Sequence, residues 1–539
     1  MAWQSLSVEA GRAAAPAEGG SSQSLRSSAS KPRQHHRRNI RQRGTKAGND
    51  RWSEGWQEGG TAMNTPRQEN PPPVPATDKQ GGEVRARWAW TEAAVWTEPM
   101  LTSLERGVKG GMWFSLIDKA WNARSLEAAW RKVLRNRGAA GVDRQSVAQF
   151  KRDAAAELDR LHRQLQEESC QPQPVRRTWI EKMGSKELRP LGIPSVRDRG
   201  SPDALPPLVP GAAASVVQGA LKHALEPIFE RDFSEHSFGF RPGRSAKDAL
   251  RRVDKRLHEG RIWVVDADIK GYFDNIPHGQ LMEGIERKVS DGRVLAWIGK
   301  YLKAGVMESA QEWKPTGQGT PQGAVLSPLL ANIGLRGGGA RDKRRQVHGR
   351  ADELDWQMAG EGYAMTRYAD DFVILCASRS EAEAALGEVR EWCERRGLTL
   401  HSEKTRIVDA SLAGEGFEFL GYHFERGMKW PRQKSLARLR ESIRQRTRRQ
   451  TGFSLREIIG GVNAVLHGWY DYFKHSKANA LATVDGYVRR RLRSILRKRQ
   501  RLRGTHPAGV DHRRWPNAYF AAQGLFCLSA AQAACRQSR

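Results

Sequence analysis

Two short apolar runs that carry aspartate constrain the fold of this chain more than any other feature. Ile262–Ile269 reads IWVVDADI, and Tyr368–Cys376 reads YADDFVILC. Their length and β-branched content predict buried strands, with Asp268 at the end of the first. Asp370 and Asp371 stand side by side before an apolar stretch, as in the turn of a hairpin. For an isolated Asp-Asp pair, a solvated turn is the simplest interpretation.

The elements around these runs do not alternate regularly. Apolar residues recur at helical spacing over Trp113–Leu134, while Glu381–Arg396 reads as a helix and Phe417–Phe424 as a hairpin. Beyond Trp430 the pattern is helical and strongly basic. Such a mixture predicts an α+β domain, not a doubly wound sheet, followed by a helical region.

The first 85 residues differ from the rest in composition. They are rich in Ser, Gly, Pro, Arg and Gln and lack apolar periodicity. Because such a segment buries too little apolar surface to offset the entropy of ordering, we expect disorder over residues 1–85. A translated upstream sequence that precedes a true start at Met63 is an equal alternative. Folded structure is expected from about Trp96.

Charge points to a polyanionic partner. Lys and Arg total 90 against 60 for Asp and Glu, which gives a net charge of +30 and a pI near 10.3. A basic structural protein without chemistry has the same signature. The sequence has no apolar run of about 18 residues and no secretory signal, so we expect a cytoplasmic protein without a membrane span. Its five cysteines form no C-x2-C pair, which argues against a zinc ribbon.

Further motifs surround the aspartates in a fixed order. They are WFSLIDKAW, RPLGIPSVRDR, FGFRPGRSAKDAL, DADIKGYFDNIPH, GTPQGAVLSPLLANI, RYADDFVILC, GLTLHSEKTRIV, FEFLGYHF, LHGWYDYFKHS and HRRWPNAYF. On these motifs, the chain resembles the reverse transcriptase–maturases encoded within bacterial group II introns. The resemblance extends from about residue 96 to residue 527.

This resemblance implies a domain layout. Residues 96–430 would form the fingers and palm of a right-hand polymerase, with a ferredoxin-like palm. Residues 431–504 would form an all-α maturase or thumb domain, and residues 505–539 a short DNA-binding tail without an HNH endonuclease. Two segments, 200–215 and 334–353, interrupt the polymerase motifs and are expected to be insertions.

The resemblance also implies a catalytic site. Nucleotidyl transfer uses two divalent cations, and Mg²⁺ prefers oxygen ligands. Asp268, Asp370 and Asp371, with the carbonyl of Ile269, would bind two Mg²⁺ ions. Phe273, five residues after Asp268, would lie beneath the sugar and exclude a 2′-hydroxyl.

Four further residues would bind the substrates. Lys182 and Arg189 would neutralise the incoming triphosphate, although isolated residues of this kind are also common surface charges. Gln322, in the GTPQG turn, would contact the template–nucleotide pair. Lys404 resembles the lysine that protonates the leaving pyrophosphate.

The basic helices beyond Trp430 combine an apolar stripe with many arginines. One face of such a helix can pack on the protein while the other contacts phosphates. The arginines expected to bind RNA are Arg438, Arg444, Arg448, Arg489, Arg493 and Arg497.

The function implied is an RNA-directed DNA polymerase that binds its host group II intron RNA and assists splicing and mobility. Deoxynucleoside triphosphates and target DNA would be its other partners. A non-enzymatic maturase with an inactive polymerase site is the first alternative. A retron or diversity-generating reverse transcriptase is the second, although LHGWYDYF and HRRWPNAYF argue against it.

Overall fold

The N-terminal part of the fold is helical. The computed structural model describes residues 78–108, 111–136, 139–181, 188–194, 214–308, 312–336, 354–502 and 508–537. Its first helices are α1 (Asp78–Arg87), α2 (Glu98–Arg106), α3 (Ile117–Ala120), α4 (Ala123–Asn136), α5 (Val147–Arg152) and α6 (Ala154–Gln166). A capping box between Ser146 and Gln149 begins α5 and satisfies backbone groups at that end.

Strands and helices then mix along the chain. The strands are β1 (Val175–Glu181), β2 (Leu188–Ile193), β3 (Trp263–Asp268), β4 (Val306–Met307), β5 (Trp313–Lys314), β6 (Ala364–Tyr368), β7 (Asp371–Cys376), β8 (Arg406–Asp409), β9 (Phe417–Phe419), β10 (Tyr422–Glu425) and β11 (Met428–Pro431). The helices among them are α7 (Ala214–Glu230), α8 (Ala246–His258), α9 (Tyr272–Asn275), α10 (His278–Glu286), α11 (Gly292–Lys303), α12 (Ser327–Arg336), α13 (Leu354–Gly360) and α14 (Arg379–Arg395). The C-terminal helices are α15 (Gln433–Arg446), α16 (Leu455–Phe473), α17 (Ala478–Arg499), α18 (Ala508–Arg514), α19 (Asn517–Ala522) and α20 (Leu528–Gln537).

The central sheet is antiparallel, with the strand order β6-β7-β3-β8. Side chains alternate between its two faces, because successive residues of a strand point in opposite directions. Val265 and Ile374 enter the large core that includes α14, whereas Val264 and Leu375 enter a second core with α8. Burial on both faces explains why β3 and β7 are almost continuously apolar rather than alternating.

Two smaller sheets flank the central one. The first has the order β2-β1-β4-β5, in which β1 pairs antiparallel with β2 and parallel with β4. The second is the antiparallel meander β9-β10-β11, whose inner face buries Phe417, Phe419 and Phe424. This meander joins the sheet region to the C-terminal helices, because Tyr422 donates a hydrogen bond to the carbonyl of Tyr472 in α16 at 2.6 Å.

The C-terminal helices share a separate core. It is formed by the predicted apolar stripes, including Leu439 and Ile443 of α15 and Leu492 and Ile495 of α17. The tail folds back on α17, since Asp485 accepts hydrogen bonds from the backbone of Leu528 and Ser529 at the start of α20. No helix within the described ranges is long and apolar enough to cross a membrane.

The α+β class expected from the sequence is confirmed, and the main differences concern the bounds. The folded part already includes α1, before Trp96, because Val84 is buried and Arg85 donates a hydrogen bond to the carbonyl of Trp96 at 3.0 Å. The helical spacing over Trp113–Leu134 corresponds to α3 and α4, and the run Tyr368–Cys376 is the hairpin β6–β7. Residues 1–77, with Met63, lie outside the described residues.

The two expected insertions also lie largely outside the described residues. Residues 214 and 215 already belong to α7, and residues 334–336 complete α12. The described chain is interrupted over 195–213 and over 337–353.

Candidate functional site

The three predicted catalytic aspartates come together at one end of the central sheet. Asp268, the last residue of β3, faces Asp371, the first residue of β7, across the antiparallel pair. Facing residues in such a pair have Cα atoms about 5 Å apart. Asp370 lies in the tight turn between β6 and β7, where Ala369 has a left-handed backbone with φ of 61°. Sheet register therefore places all three residues at one site.

Burial and mutual repulsion both act on these carboxylates. Burial, together with the smaller effects of the nearby Asp266, Asp370 and Asp268, raises the pKa of Asp371 to about 7. Asp266 was missed in the sequence analysis, although it lies two residues before Asp268 and so on the same face of β3. Burial also raises its own pKa, to about 6, against the opposing effect of Arg406.

Lys404 contacts the cluster directly. Its Nζ donates a hydrogen bond to Oδ2 of Asp268 at 2.6 Å. The backbone N–H of His401 donates to the carbonyl of Asp268 at 2.8 Å, which ties the segment before β8 to the end of β3. The predicted lysine is thus brought to the site, where its ammonium balances one of the carboxylates.

The donor set suits a hard divalent cation. Within the described ranges, no three His, Cys, Asp or Glu side chains already converge closely enough to hold a metal ion. Asp268 and Asp371 nevertheless face each other with Asp370 beside them. The charges of Asp268 and Asp370 add to the effect of burial in raising the pKa of Asp371. Carboxylate oxygens without competing nitrogen or sulfur ligands are the type of site that Mg²⁺ occupies.

A buried polar network supports the catalytic turn. Arg367 on β6 donates hydrogen bonds to Asp355 of α13 at 2.8 and 2.5 Å, to Asn332 Oδ1 at 3.2 Å and to the carbonyl of Ala369 at 3.0 Å. All three polar side chains are buried. Asn332 and Asp355 lie on opposite sides of residues 337–353, so both flanks of this interruption contact the support of the turn.

The FGFRPG segment packs against the same turn. The N–H of Phe238 donates to the carbonyl of Arg367 at 2.8 Å, and Asn332 Nδ2 donates to the carbonyl of Gly239 at 2.9 Å. A Cβ at Gly239 would lie 2.2 Å from the backbone nitrogen of Ala369, so only glycine allows this approach. These contacts are non-local, and the sequence motif by itself did not reveal them.

Phe273 lies at the floor of the site. It is buried, and its carbonyl accepts a hydrogen bond from the N–H of Thr320 in the GTPQG turn at 2.7 Å. Its ring stands edge-on to that of Phe240 with a centroid separation of 6.3 Å, and Phe240 lies equally far from Tyr368. The exposed ring of Phe240 therefore links the aromatic residue expected beneath the sugar to Tyr368, which precedes the catalytic turn.

The GTPQG turn links the first flanking sheet to the site. The carbonyl of Gln322 accepts a hydrogen bond from the N–H of Gly192 in β2 at 2.6 Å. A cavity of about 200 Å³ lies between them, lined by Arg177, Pro190, Gly192, Asp274, Gln318 and Gln322 among others. Gly319 has a φ of +84°, and a Cβ there would lie 2.5 Å from the carbonyl oxygen of Asp274. Gln322 thus lies beside a cavity bordered by two substrate-site motifs.

The two predicted triphosphate ligands, Lys182 and Arg189, stay predictions. Lys182 lies outside the described residues. Arg189 lies in β2, opposite Ile180 of β1.

The predicted RNA-binding arginines divide into exposed and internal residues. Arg438, Arg444 and Arg448 are exposed, and Arg489 is half-buried. Arg493 is buried and donates hydrogen bonds to the carbonyl of Trp515 and to Asn517 Oδ1. It also lines the basic cleft described next, and its contact with RNA stays a prediction. Arg497 is half-buried and pairs with Asp511 at 3.3 Å. Both residues meet the C-terminal tail, whose position the helix pattern did not indicate.

A basic cleft lies beside these residues. It measures about 910 Å³ and is lined by Arg440, Arg449, Tyr487, Arg490, Arg497 and Lys498 among others. The guanidinium groups of Arg440 and Arg490 lie over the ring of Tyr487, 5.9 and 5.6 Å from its centroid. Arginine and an exposed aromatic edge are the groups that contact phosphates and bases in RNA-binding proteins.

Comparison with known proteins agrees with this geometry. Residues 180–424 match the reverse transcriptase (RNA-dependent DNA polymerase) family, and residues 436–515 match the group II intron maturase-specific domain. The protein YkfC of Escherichia coli is 34% identical over 327 residues, which are 56% of this chain and 80% of YkfC.

Other relatives match shorter parts of the chain. The group II intron-encoded protein LtrA of Lactococcus lactis is 39% identical over 209 residues, or 38% of this chain, and the match spans only 31% of LtrA. Nuclear intron maturase 2 of Arabidopsis thaliana is 38% identical over 97 residues, or 18% of this chain and 13% of that protein. A telomerase structure from Candida albicans aligns with 65% of this chain over 64% of its own length, at 12% identity and a TM-score of 0.35.

The two family matches follow each other in the order that the motifs predicted, and the first of them contains all three aspartates. The chain therefore belongs to the reverse transcriptase–maturases encoded by group II introns.

Proposed function

We propose that this chain is an active RNA-directed DNA polymerase whose catalytic residues are Asp268, Asp370 and Asp371. The observation that carries the proposal is the register of the central sheet, in which Asp268 faces Asp371 beside the turn with Asp370. A solvated turn would not need the buried support that Arg367, Asn332 and Asp355 give to this hairpin.

The proposed chemistry rests on an oxygen-rich site. Two Mg²⁺ ions, when bound, would activate the 3′-hydroxyl of the primer and stabilise the leaving pyrophosphate. The carboxylates of the three aspartates and the carbonyl of Ile269 would hold them. Lys404 would release Asp268 and donate a proton from Nζ to the pyrophosphate, which its present contact of 2.6 Å with Asp268 keeps within reach.

Other residues would orient the substrates. Phe273 would lie beneath the sugar of the incoming nucleotide, and Gln322 would contact the template–nucleotide pair from the GTPQG turn. Lys182 and Arg189 would neutralise the triphosphate. Each contact that fixes the reacting groups lowers the entropic part of the barrier.

We also propose separate roles for successive segments of the chain. Fingers and palm would comprise residues 96–430, the thumb or maturase domain residues 431–504, and the DNA-binding tail residues 505–539. The exposed Arg438, Arg444 and Arg448 and the basic cleft would bind the host intron RNA, and the tail would contact target DNA. We place this activity in the cytoplasm, with the protein bound to nucleic acid.

Primer extension tests the proposal. Purified full-length protein, an RNA template with an annealed DNA primer, deoxynucleotides and Mg²⁺ should yield extended primer, and Asp370→Ala should abolish extension. Intron RNA binding, measured on the same preparations, should be unchanged by the substitution. Tight RNA binding without extension by the wild-type protein would instead identify a non-enzymatic maturase.

A further inference from the structure

Phe240 is an exposed aromatic residue at the edge of the candidate active site. Its side chain is 46% exposed, whereas Phe229, Phe233 and Phe238 on the preceding chain are buried. Its ring lies between those of Phe273 and Tyr368, with 6.3 Å between centroids in each case. A large apolar ring in such a position loses the benefit of burial, unless a ligand covers it.

The backbone of Phe240 is also strained. Its φ is +57°, a left-handed conformation that side chains with a Cβ rarely adopt and that costs free energy for a bulky residue. The contacts of the two neighbouring residues impose this backbone conformation. Gly239 is pressed against the backbone of Ala369, and Arg241 donates hydrogen bonds to the carboxylate of Glu230 and to the carbonyl of Ser237.

Phe240 is both strained and exposed, although hydrogen bonds fix the residues that precede it. The carbonyl of Gly239 is bound by the buried Asn332, and the N–H of Phe238 is bound by β6. The fold therefore keeps an unfavourable conformation at a fixed position relative to the catalytic turn. Strained residues that the surrounding structure holds in this way cluster at ligand-binding sites.

We propose that Phe240 is a specificity-determining residue, whose ring contacts the sugar of the incoming nucleotide and, with Phe273, excludes a 2′-hydroxyl. This inference rests on the proposed polymerase function. Phe273 is 6% exposed and offers little surface by itself, so the more exposed Phe240 supplies most of the apolar wall beside it. A hydroxyl pressed against two aromatic rings would lose its hydrogen bonds to water without gaining a partner.

The expected size of the effect follows from the chemistry. An apolar surface by itself discriminates against a substrate with an added hydroxyl by a factor of about 100 in kcat/KM. A surface that also clashes with the hydroxyl discriminates more strongly. If two rings share this wall, then removing one should lower the preference for deoxynucleotides by about tenfold. The loss should appear chiefly as improved use of ribonucleotides.

Phe240→Gly is the informative variant, because glycine removes the ring and relieves the backbone strain together. Arg426→Gly is its matched control: Arg426 is exposed, has a φ of 53° and lies in the turn between β10 and β11. The measurement is kcat/KM for a deoxynucleotide and for the ribonucleotide with the same base, on one RNA template, together with Tm. Phe240→Asn, which tolerates the left-handed backbone, repeats the test if the glycine variant folds poorly.

We expect Phe240→Gly to keep or raise Tm while the deoxynucleotide preference falls about tenfold, and we expect Arg426→Gly to keep the wild-type preference. An unchanged preference in Phe240→Gly and Phe240→Asn, with active wild-type enzyme, would overturn this inference alone. Equal losses of both kcat/KM values would also overturn it and would point to contact with the primer. Absence of extension by the wild-type protein would overturn the proposed function and this inference with it.

Discussion

Replacement of Arg367 by methionine is the sharpest test of the support beneath the catalytic turn. Arg367 is 1% exposed, and its side chain donates hydrogen bonds to Asn332, to the carbonyl of Ala369 and twice to Asp355, which is 4% exposed. Methionine has similar length and no charge, so the substitution strands the Asp355 carboxylate in the core. It also leaves Asn332 Oδ1 and the carbonyl of Ala369 without this donor.

The magnitude follows from these contacts. Removing one partner of a buried ion pair costs about 3–5 kcal/mol, since the other charge remains buried. We therefore expect Arg367→Met to destabilise the β6–β7 hairpin by about 4 kcal/mol or more, and Asp355→Leu by a similar amount. In the double variant no charge is stranded, so its cost should be well below the sum of about 8 kcal/mol.

Hydrogen exchange measures this directly. The free energy of opening of the β6 and β7 amides, determined by exchange and mass spectrometry on the full chain, reports on the unit that the network supports. Additive losses in the double variant would refute the buried-pair interpretation. So would a loss below about 1 kcal/mol in Arg367→Met, which is the range of an exposed ion pair.

Three further outcomes are expected. Gly239→Ala should slow primer extension about a hundredfold, because its Cβ would press on the catalytic turn, whereas Gly279→Ala in α10, whose Cβ would meet nothing within 4 Å, should be neutral in the same assay. Burial lowers the pKa of His223 to about 3, so its neutral form stabilises the fold above the unfolded-state pKa of about 6.5, and this stabilisation is lost as the pH falls toward 3. At pH 5 the loss should be about 2 kcal/mol in urea unfolding and absent from His223→Gln. Arg438→Ala should lower the slope of log K against log salt concentration for intron RNA binding by about one released counterion and leave Tm unchanged. Arg493→Ala, in contrast, should lower Tm.

The local sequence pattern was sufficient to predict the strands β3 and β7 and the positions of their aspartates. The apolar runs around Asp268 and Asp371 are nearly continuous because both faces of β3 and β7 are buried, and such runs predict strands without further information. The adjacent Asp370 and Asp371 predicted the hairpin because aspartate is common in turns.

The local sequence pattern could not predict contacts between distant parts of the chain. Arg367, Asn332 and Asp355 are ordinary polar residues in sequence, and only folding brings them beneath the turn. The burial of Arg493 could not be predicted, because helix periodicity shows which residues are polar but not where the C-terminal tail packs. Phe240 looked like one more apolar residue of a motif, since its exposure and left-handed backbone depend on the packing of Gly239.

Cation stoichiometry tests the proposed site most directly. Mn²⁺ is a paramagnetic substitute for Mg²⁺ with similar preference for oxygen ligands, and its binding to the full chain with primer–template and a non-reactive deoxynucleotide can be counted by electron paramagnetic resonance. We expect two ions per chain, and at most one in Asp268→Asn or Asp371→Asn. Two ions bound equally well by the wild-type protein and both variants would contradict the assignment of these aspartates as the metal ligands.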